Sequence, residues 1–119
     1  MELTHEDLDD GIRKIDLFGR LDLEGAERID IRFTALTAAT RTFAVIDLSG
    51  VEFMASIGIA TLVRAARAAR LRDGNLVLLS PRSNVAQVLA SMKIDQLLPV
   101  CATLEEARRI VRAVPPTLA

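Results

Sequence analysis

Apolar residues recur along this chain with two different periods, and the changes of period mark out the elements. In residues 11–19, Ile15 and Leu17 stand two apart with Ile12 and Phe18 at the ends, between the turn-prone Asp9-Asp10-Gly11 and Gly19. This pattern predicts a hairpin of two strands, about 2–8 and 11–18. From Leu23 to Arg41, Ala26, Ile29, Phe33 and Leu36 recur at helical spacing with Glu27, Arg28 and Arg32 between them, the signature of an amphipathic helix. The continuous apolar run 43–48 reads as a strand buried on both faces, ending in the turn-prone Asp47-Leu48-Ser49-Gly50. A second helix is predicted from Ile57 to Arg72. Leu62, Val63, Ala66 and Ala69 form one face of it, Arg64, Arg67 and Arg70 another, and Asp73-Gly74 stops it.

Residues 75–80 repeat the buried-strand pattern, and Ser83 stands where it can cap a helix over "NVAQVLASM". A short strand is expected near Pro99–Ala102. Thr103, with Glu106 three positions on, forms a capping box for a last helix, and a double proline at 115–116 lies beyond it. A hairpin followed by alternating strands and helices implies an α/β fold with a mixed sheet, parallel in its later half. At 119 residues this is one domain, 1–119, with a core of about 2–113 and a short Pro-containing tail, 114–119.

Composition narrows the function classes. Half the residues are hydrophobic but only 3% are aromatic, without Trp or Tyr, so the core is aliphatic and no stacking platform for bases is available. A formal net charge of −1 gives no electrostatic reason to expect direct binding of nucleic acid or of an anionic membrane. Acidic residues concentrate in the first thirty positions and basic ones after position 60, so the two ends carry opposite charge. The lone Cys101 excludes an internal disulfide, and "MELTHEDLDD" has neither the basic nor the apolar region of a signal peptide. The expected compartment is the cytoplasm. No apolar run approaches the roughly 18 residues that span a bilayer, so membrane insertion is not expected.

Catalytic equipment is sparse. His5 is the only histidine, no nucleophile-elbow pattern surrounds Ser56, and a hydrolase using Ser56 has the weakest support. His, Cys, Asp and Glu show no metal-ligand spacing, and the glycines at 50 and 58 fit neither nucleotide-binding loop pattern, so no metal or cofactor is expected. Asp47 and Glu52 offer two carboxylates near one another in sequence. Asp47 is better suited to bonding the amides of Ser49-Gly50 than to acid–base work. Arg64, Arg67 and Arg70 form a basic stripe that suits an acidic partner or a phosphate, or simply a solvated helix face.

"DLSGVEFMASIGI", residues 47–59, remains. Ser56 sits where an N-cap is expected, worth about 1 kcal/mol against Ala. Gly58, by contrast, costs about 1 kcal/mol within a first helical turn, which implies close approach by a neighbouring element or a partner. A helix N-terminus tolerates an anion, so a phosphate on Ser56 is expected to act outward rather than to melt the helix.

This stretch resembles the phosphorylation loop of the STAS domain family, named for sulfate transporters and anti-sigma factor antagonists. The resemblance extends over "GRLDLEGA" at 19–26, "AVIDLS" at 44–49 and "IDQLLPVCATLEEA" at 94–107. It implies a non-catalytic cytoplasmic module of about five strands and four helices. Its stand-alone bacterial members, regulators of transcription, bind an anti-sigma factor that is also a serine kinase, are released by phosphorylation of the loop serine, and are restored by a phosphatase. Carried over, the phosphoacceptor is Ser56, the turn acid Asp47 and the close-approach glycine Gly58. Phe53 and Met54 are candidates for partner contact or for anchoring the loop, and Ala55, Ile57 and Arg64 complete the expected partner-binding set. Where many members have an acidic residue before the serine, this chain has Ala55, removing a charge that a kinase could read. The alternative within the family is a scaffold or transporter-associated module, such as a stressosome-like or lipid-transport component, whose serine serves docking only.

Overall fold

The computed structural model describes residues 1–113. Within them the chain forms β1 (Glu2–Asp7), β2 (Arg13–Leu21), α1 (Leu23–Ala38), β3 (Phe43–Met54) and α2 (Ser56–Leu71), then β4 (Asn75–Leu79), α3 (Ser83–Ser91), a 3-10 turn (Ile94–Gln96), β5 (Val100–Cys101) and α4 (Leu104–Arg112). The five strands make one mixed sheet in chain order, with β1 antiparallel to β2 and every later pair parallel. The α/β class and mixed sheet expected from the sequence are present. The tail at 114–119, with the double proline, lies outside the described residues.

Adding β3, β4 and β5 in one direction, each through a right-handed crossover, puts the intervening helices on one face. The core follows that rule. Ile15, Leu17, Ala44, Ile46, Leu48, Leu76 and Leu78 point to the face covered by α1, α2 and α3. Val45, Val77, Leu79 and Cys101 alternate to the other face, where α4 covers them with Ala107 and Val111. β3 and β4 are therefore buried on both sides over residues 44–46 and 75–79, which is why they read as continuous apolar runs.

Opposite charges from the first and last parts of the described chain meet at the surface. Arg108 on α4 pairs with Asp10 at 2.7 Å and Asp9 at 3.3 Å in the hairpin turn, and Arg112 donates to the Asp10 carbonyl. The basic stripe is also partly spent internally. Arg70 Nε donates to Asn75 Oδ1 at 2.8 Å, and Asn75 Nδ2 donates to the Val111 carbonyl at 3.2 Å, tying α2, β4 and α4 together.

Two boundaries differ from the sequence pattern. β2 runs on to Leu21, and β3 continues through Asp47-Leu48-Ser49-Gly50 to Met54 instead of turning there. The register explains the apparent turn: Asp16 pairs with Asp47 but Phe18 with Gly50, and Gly19 pairs with Val51 but Arg20 with Phe53. β3 thus carries two bulges, each an extra residue that breaks the alternation without ending the strand. Gly50 is required at the first, because a Cβ there would lie 2.8 Å from the Leu17 carbonyl oxygen as well as 2.4 Å from Phe18 Cδ1.

Candidate functional site

The site is built where β2 and β3 end. Leu21 pairs with Met54, and the Leu21 carbonyl then accepts a hydrogen bond from the Ala55 amide at 3.0 Å. Ala55, in extended conformation, is the N-cap of α2, and its carbonyl accepts from Gly58 N at 2.9 Å and Ile59 N at 3.2 Å. The next residue after Leu21, Asp22, caps α1 through Oδ1 to Gly25 N at 2.9 Å. That bond, above all, holds the Asp22 carboxyl below its ordinary pKa. Two helix N-termini therefore emerge side by side, one capped by a carboxylate and one without a side-chain cap.

The expected cap at Ser56 is corrected by this geometry. Ser56 is the first helical residue, and no side chain caps α2, because the bulges and the Ala55–Leu21 bond bring the chain into the helix one residue earlier than a cap at Ser56 would require. Ser83 is displaced in the same way: Arg82 is the N-cap of α3 and Ser83 its first residue. Thr103 does cap α4, accepting from Glu106 N at 3.2 Å. Burial first and the neighbouring Glu106 carboxylate second push the Cys101 thiol up to about 11.

Ser56 and Ile57 are exposed, Ala55 is half-buried, and Phe53 is 38% exposed with the Arg20 guanidinium 4.4 Å from its ring centroid. Met54 is buried at 4% exposure and anchors the strand end in the core, so it offers no surface to a partner. Gly58 is buried too. A Cβ on it would lie 2.4 Å from the Leu21 carbonyl oxygen and 2.6 Å from Leu21 Cγ, so the close approach is made by β2 and not by a partner. Arg64 is exposed and, among the described residues, its guanidinium reaches only Thr61 Oγ1, at 3.5 Å.

Asp47 lies elsewhere, on the face of the sheet opposite α1 and α2. Pairing with Asp16, it sits five β2 residues, roughly 16 Å of strand, before the Leu21–Met54 pair. It bonds Ser49 N at 2.9 Å, as its sequence context suggested, but within a bulge and not in a turn. Lys14 Nζ stands 3.2 Å from it and 2.5 Å from Asp16. Burial raises the Asp47 pKa, but the bonds from Ser49 and Lys14 outweigh it and leave the carboxyl below its ordinary value. Asp47 and Glu52 form no acid–base pair: β3 separates them by five residues, and Glu52 is exposed near the strand's end.

Three contributors to the site were not singled out in the sequence. Leu21 backs the loop. Arg82 Nε donates to the Ser49 carbonyl at 2.8 Å and Asn84 Nδ2 to the Glu52 carbonyl at 2.9 Å, so the start of α3 braces the bulged segment. The third is a groove of about 390 Å³ between α1 and α2, which Ile57 enters beside Leu23 and Ile31. Leu23 and Ile31 are 58% and 87% exposed; as apolar residues off the Ala26–Ile29–Phe33 stripe they were the available signal. Among the described residues no His, Cys, Asp and Glu cluster could hold a metal ion, and no helix is long and apolar enough to cross a membrane.

Comparison with known proteins identifies the architecture. Residues 7–107 match the STAS domain, and the chain belongs to that family. Among solved structures, it is similar to an anti-sigma factor antagonist from Mycobacterium paratuberculosis, with 25% identity, a TM-score of 0.81, and 93% of each chain covered. An anti-sigma factor antagonist STAS domain protein from Planctomyces limnophilus shares 28% identity at a TM-score of 0.75, covering 92% of this chain and 96% of the other. The Bacillus cell fate determinant SpoIIAA in its phosphorylated form shares the fold at 23% identity and a TM-score of 0.68, covering 93% of this chain and 100% of the other.

Two outcomes test this geometry. Gly58→Ala, which in an open helix gains about 1 kcal/mol, is expected to lose about 1–3 kcal/mol in urea denaturation, because the methyl group meets backbone at Leu21. A gain would show that the approach is loose. For Asp47, a folded pKa held below the unfolded value of about 3.9 means a contribution present above that pH and lost as pH falls through the folded value. Asp47→Asn is therefore expected to cost on the order of 1 kcal/mol at pH 7. The gap from wild type should narrow in denaturation curves below about pH 4; a gap independent of pH would contradict the ion-pair reading.

Proposed function

We propose that this protein is an anti-sigma factor antagonist. It binds an anti-sigma factor with serine-kinase activity while Ser56 is unmodified, releases it when that kinase phosphorylates Ser56, and is returned to the binding state by a serine phosphatase. The observation that carries this reading is the exposure of Ser56 on the first residue of a helix whose N-terminus no side chain caps. The family membership and the anti-sigma factor antagonists similar in structure support it.

The physics of the position suits a switch. The first-turn amides of α2 and the positive end of its dipole favour an added phosphate, so the helix survives the modification. The roughly −1.5 to −2 charge then acts on the surface around it. That surface consists of Ala55, Ser56 and Ile57, with Phe53 beside them. Met54 and Gly58 hold it from beneath, and Arg64 lies further along α2. Ala55 in place of an acidic neighbour means that the kinase recognises this loop by its shape and apolar contacts.

Incubation with the cognate kinase and ATP is expected to add one phosphate to the wild type and none to Ser56→Ala by intact mass; equal labelling of both refutes the assignment. Ser56→Asp is expected to weaken kinase binding at least tenfold while its stability stays within about 0.5 kcal/mol of wild type. A large loss of stability would mark the residue as structural.

A further inference from the structure

The groove between α1 and α2 lies over the buried Ala26 and Thr61 and is walled by exposed side chains of both helices. Its α1 wall carries Leu23, Glu27, Asp30 and Ile31; its α2 wall carries Ile57 and Arg64. Ile31 is 87% exposed and shares the groove with the exposed Leu23 and Ile57, so three aliphatic side chains form one patch and are not scattered singly. Glu27, Asp30 and Arg64 are all exposed, and none of them forms an ion pair among the described residues, although carboxylates and guanidinium line one cleft. The groove thus interleaves the aliphatic Leu23, Ile31 and Ile57 with Glu27, Asp30 and Arg64, is net acidic, and has its charges unpaired among the described residues. It also runs up to the residue that follows Ser56.

We propose that this groove is the anchoring half of the docking surface whose switching half is Ser56. It seats an amphipathic helix of the anti-sigma factor kinase that lays an aliphatic ridge against Leu23, Ile31 and Ile57 and turns basic side chains toward Glu27 and Asp30. The proposal rests on the partner-switching reading and adds to it the chemistry of the partner's contact. A helix fits a groove of this kind through side chains spaced by three and four residues. Charge complementarity selects the basic flank, because the α1 wall offers two carboxylates against the single Arg64. Continuity with Ile57 explains how one modification disrupts a larger contact. A phosphate on Ser56 stands at the end of the apolar ridge, where docking the helix would require stripping water from a dianion.

The test measures binding of the kinase that phosphorylates Ser56 to the wild-type protein and to four variants, each checked for a wild-type melting curve: Ile31→Glu, Glu27→Gln with Asp30→Gln, Glu27→Lys with Asp30→Lys, and Ser56→Asp. The expected result is at least tenfold weaker binding for Ile31→Glu. The lysine pair is expected to bind more weakly than the glutamine pair, with that difference shrinking as salt rises. If Ser56→Asp weakens binding but the groove variants stay within twofold of wild type, the groove proposal falls and the switch reading stands. If Ser56→Asp also binds as wild type does, both fall. A concentration-dependent dimer in light scattering that Ile31→Glu abolishes, with kinase binding unchanged, assigns the groove to a second copy of this chain and overturns the proposal.

Discussion

One carbonyl organises the functional end of this molecule. The Leu21 oxygen accepts the Ala55 amide at 3.0 Å and occupies the space in which any side chain on Gly58 would have to sit. A single backbone hydrogen bond contributes only about 1 kcal/mol net, so its importance is geometric. It fixes where β3 ends, makes Ala55 the N-cap of α2, and turns Ser56 outward as the first helical residue. Asp22, the next residue, starts α1 by capping it, so two consecutive residues launch both helices and define the groove between them.

The rest of the sheet supports that junction. Two bulges give β3 two residues more than β2 over the same span, and Arg82 and Asn84 hold the bulged carbonyls of Ser49 and Glu52. Glycine at 50 admits the Phe18 ring and glycine at 58 admits the Leu21 carbonyl. An exposed serine on so braced a platform has little freedom to answer phosphorylation by a change of fold. On the proposed reading, the consequence of modification would be carried by charge and hydration at the surface, which is the physical argument for proposing Ser56 as the point of partner control.

The fold was largely legible in the sequence because burial with a fixed period dominates its stabilisation. Ile15 and Leu17, the runs 43–48 and 75–80, and the Ala26–Ile29–Phe33 stripe each bury as their spacing requires. The site was legible in outline only. Ser56 and Gly58 stood out as a pair, but the cap assigned to Ser56 belongs to Ala55, since bulges shift register without leaving a periodic trace. Asp47 read as a turn acid beside the loop because Asp-Leu-Ser-Gly has turn composition, whereas Lys14 and the Ser49 amide hold it within the strand on the far face. Gly58 signalled a close approach, but the identity of the approaching group depends on Leu21, thirty-seven positions earlier, and such long-range contacts have no local signature. Leu23 and Ile31 were visible as apolar residues off the buried stripe; that they share a cleft with Ile57 follows only from α1 and α2 packing side by side.

If Ser56 controls an outer surface on a platform that does not move, amide hydrogen exchange of the unmodified and Ser56-phosphorylated protein shows it most directly. Protection along α2 and the end of β3 is then equal in the two forms, with differences confined to the exposed first-turn amides of Ser56 and Ile57. Loss of protection through α2, or at the Ala55 amide that bonds Leu21, would contradict this by showing that the switch works through local unfolding.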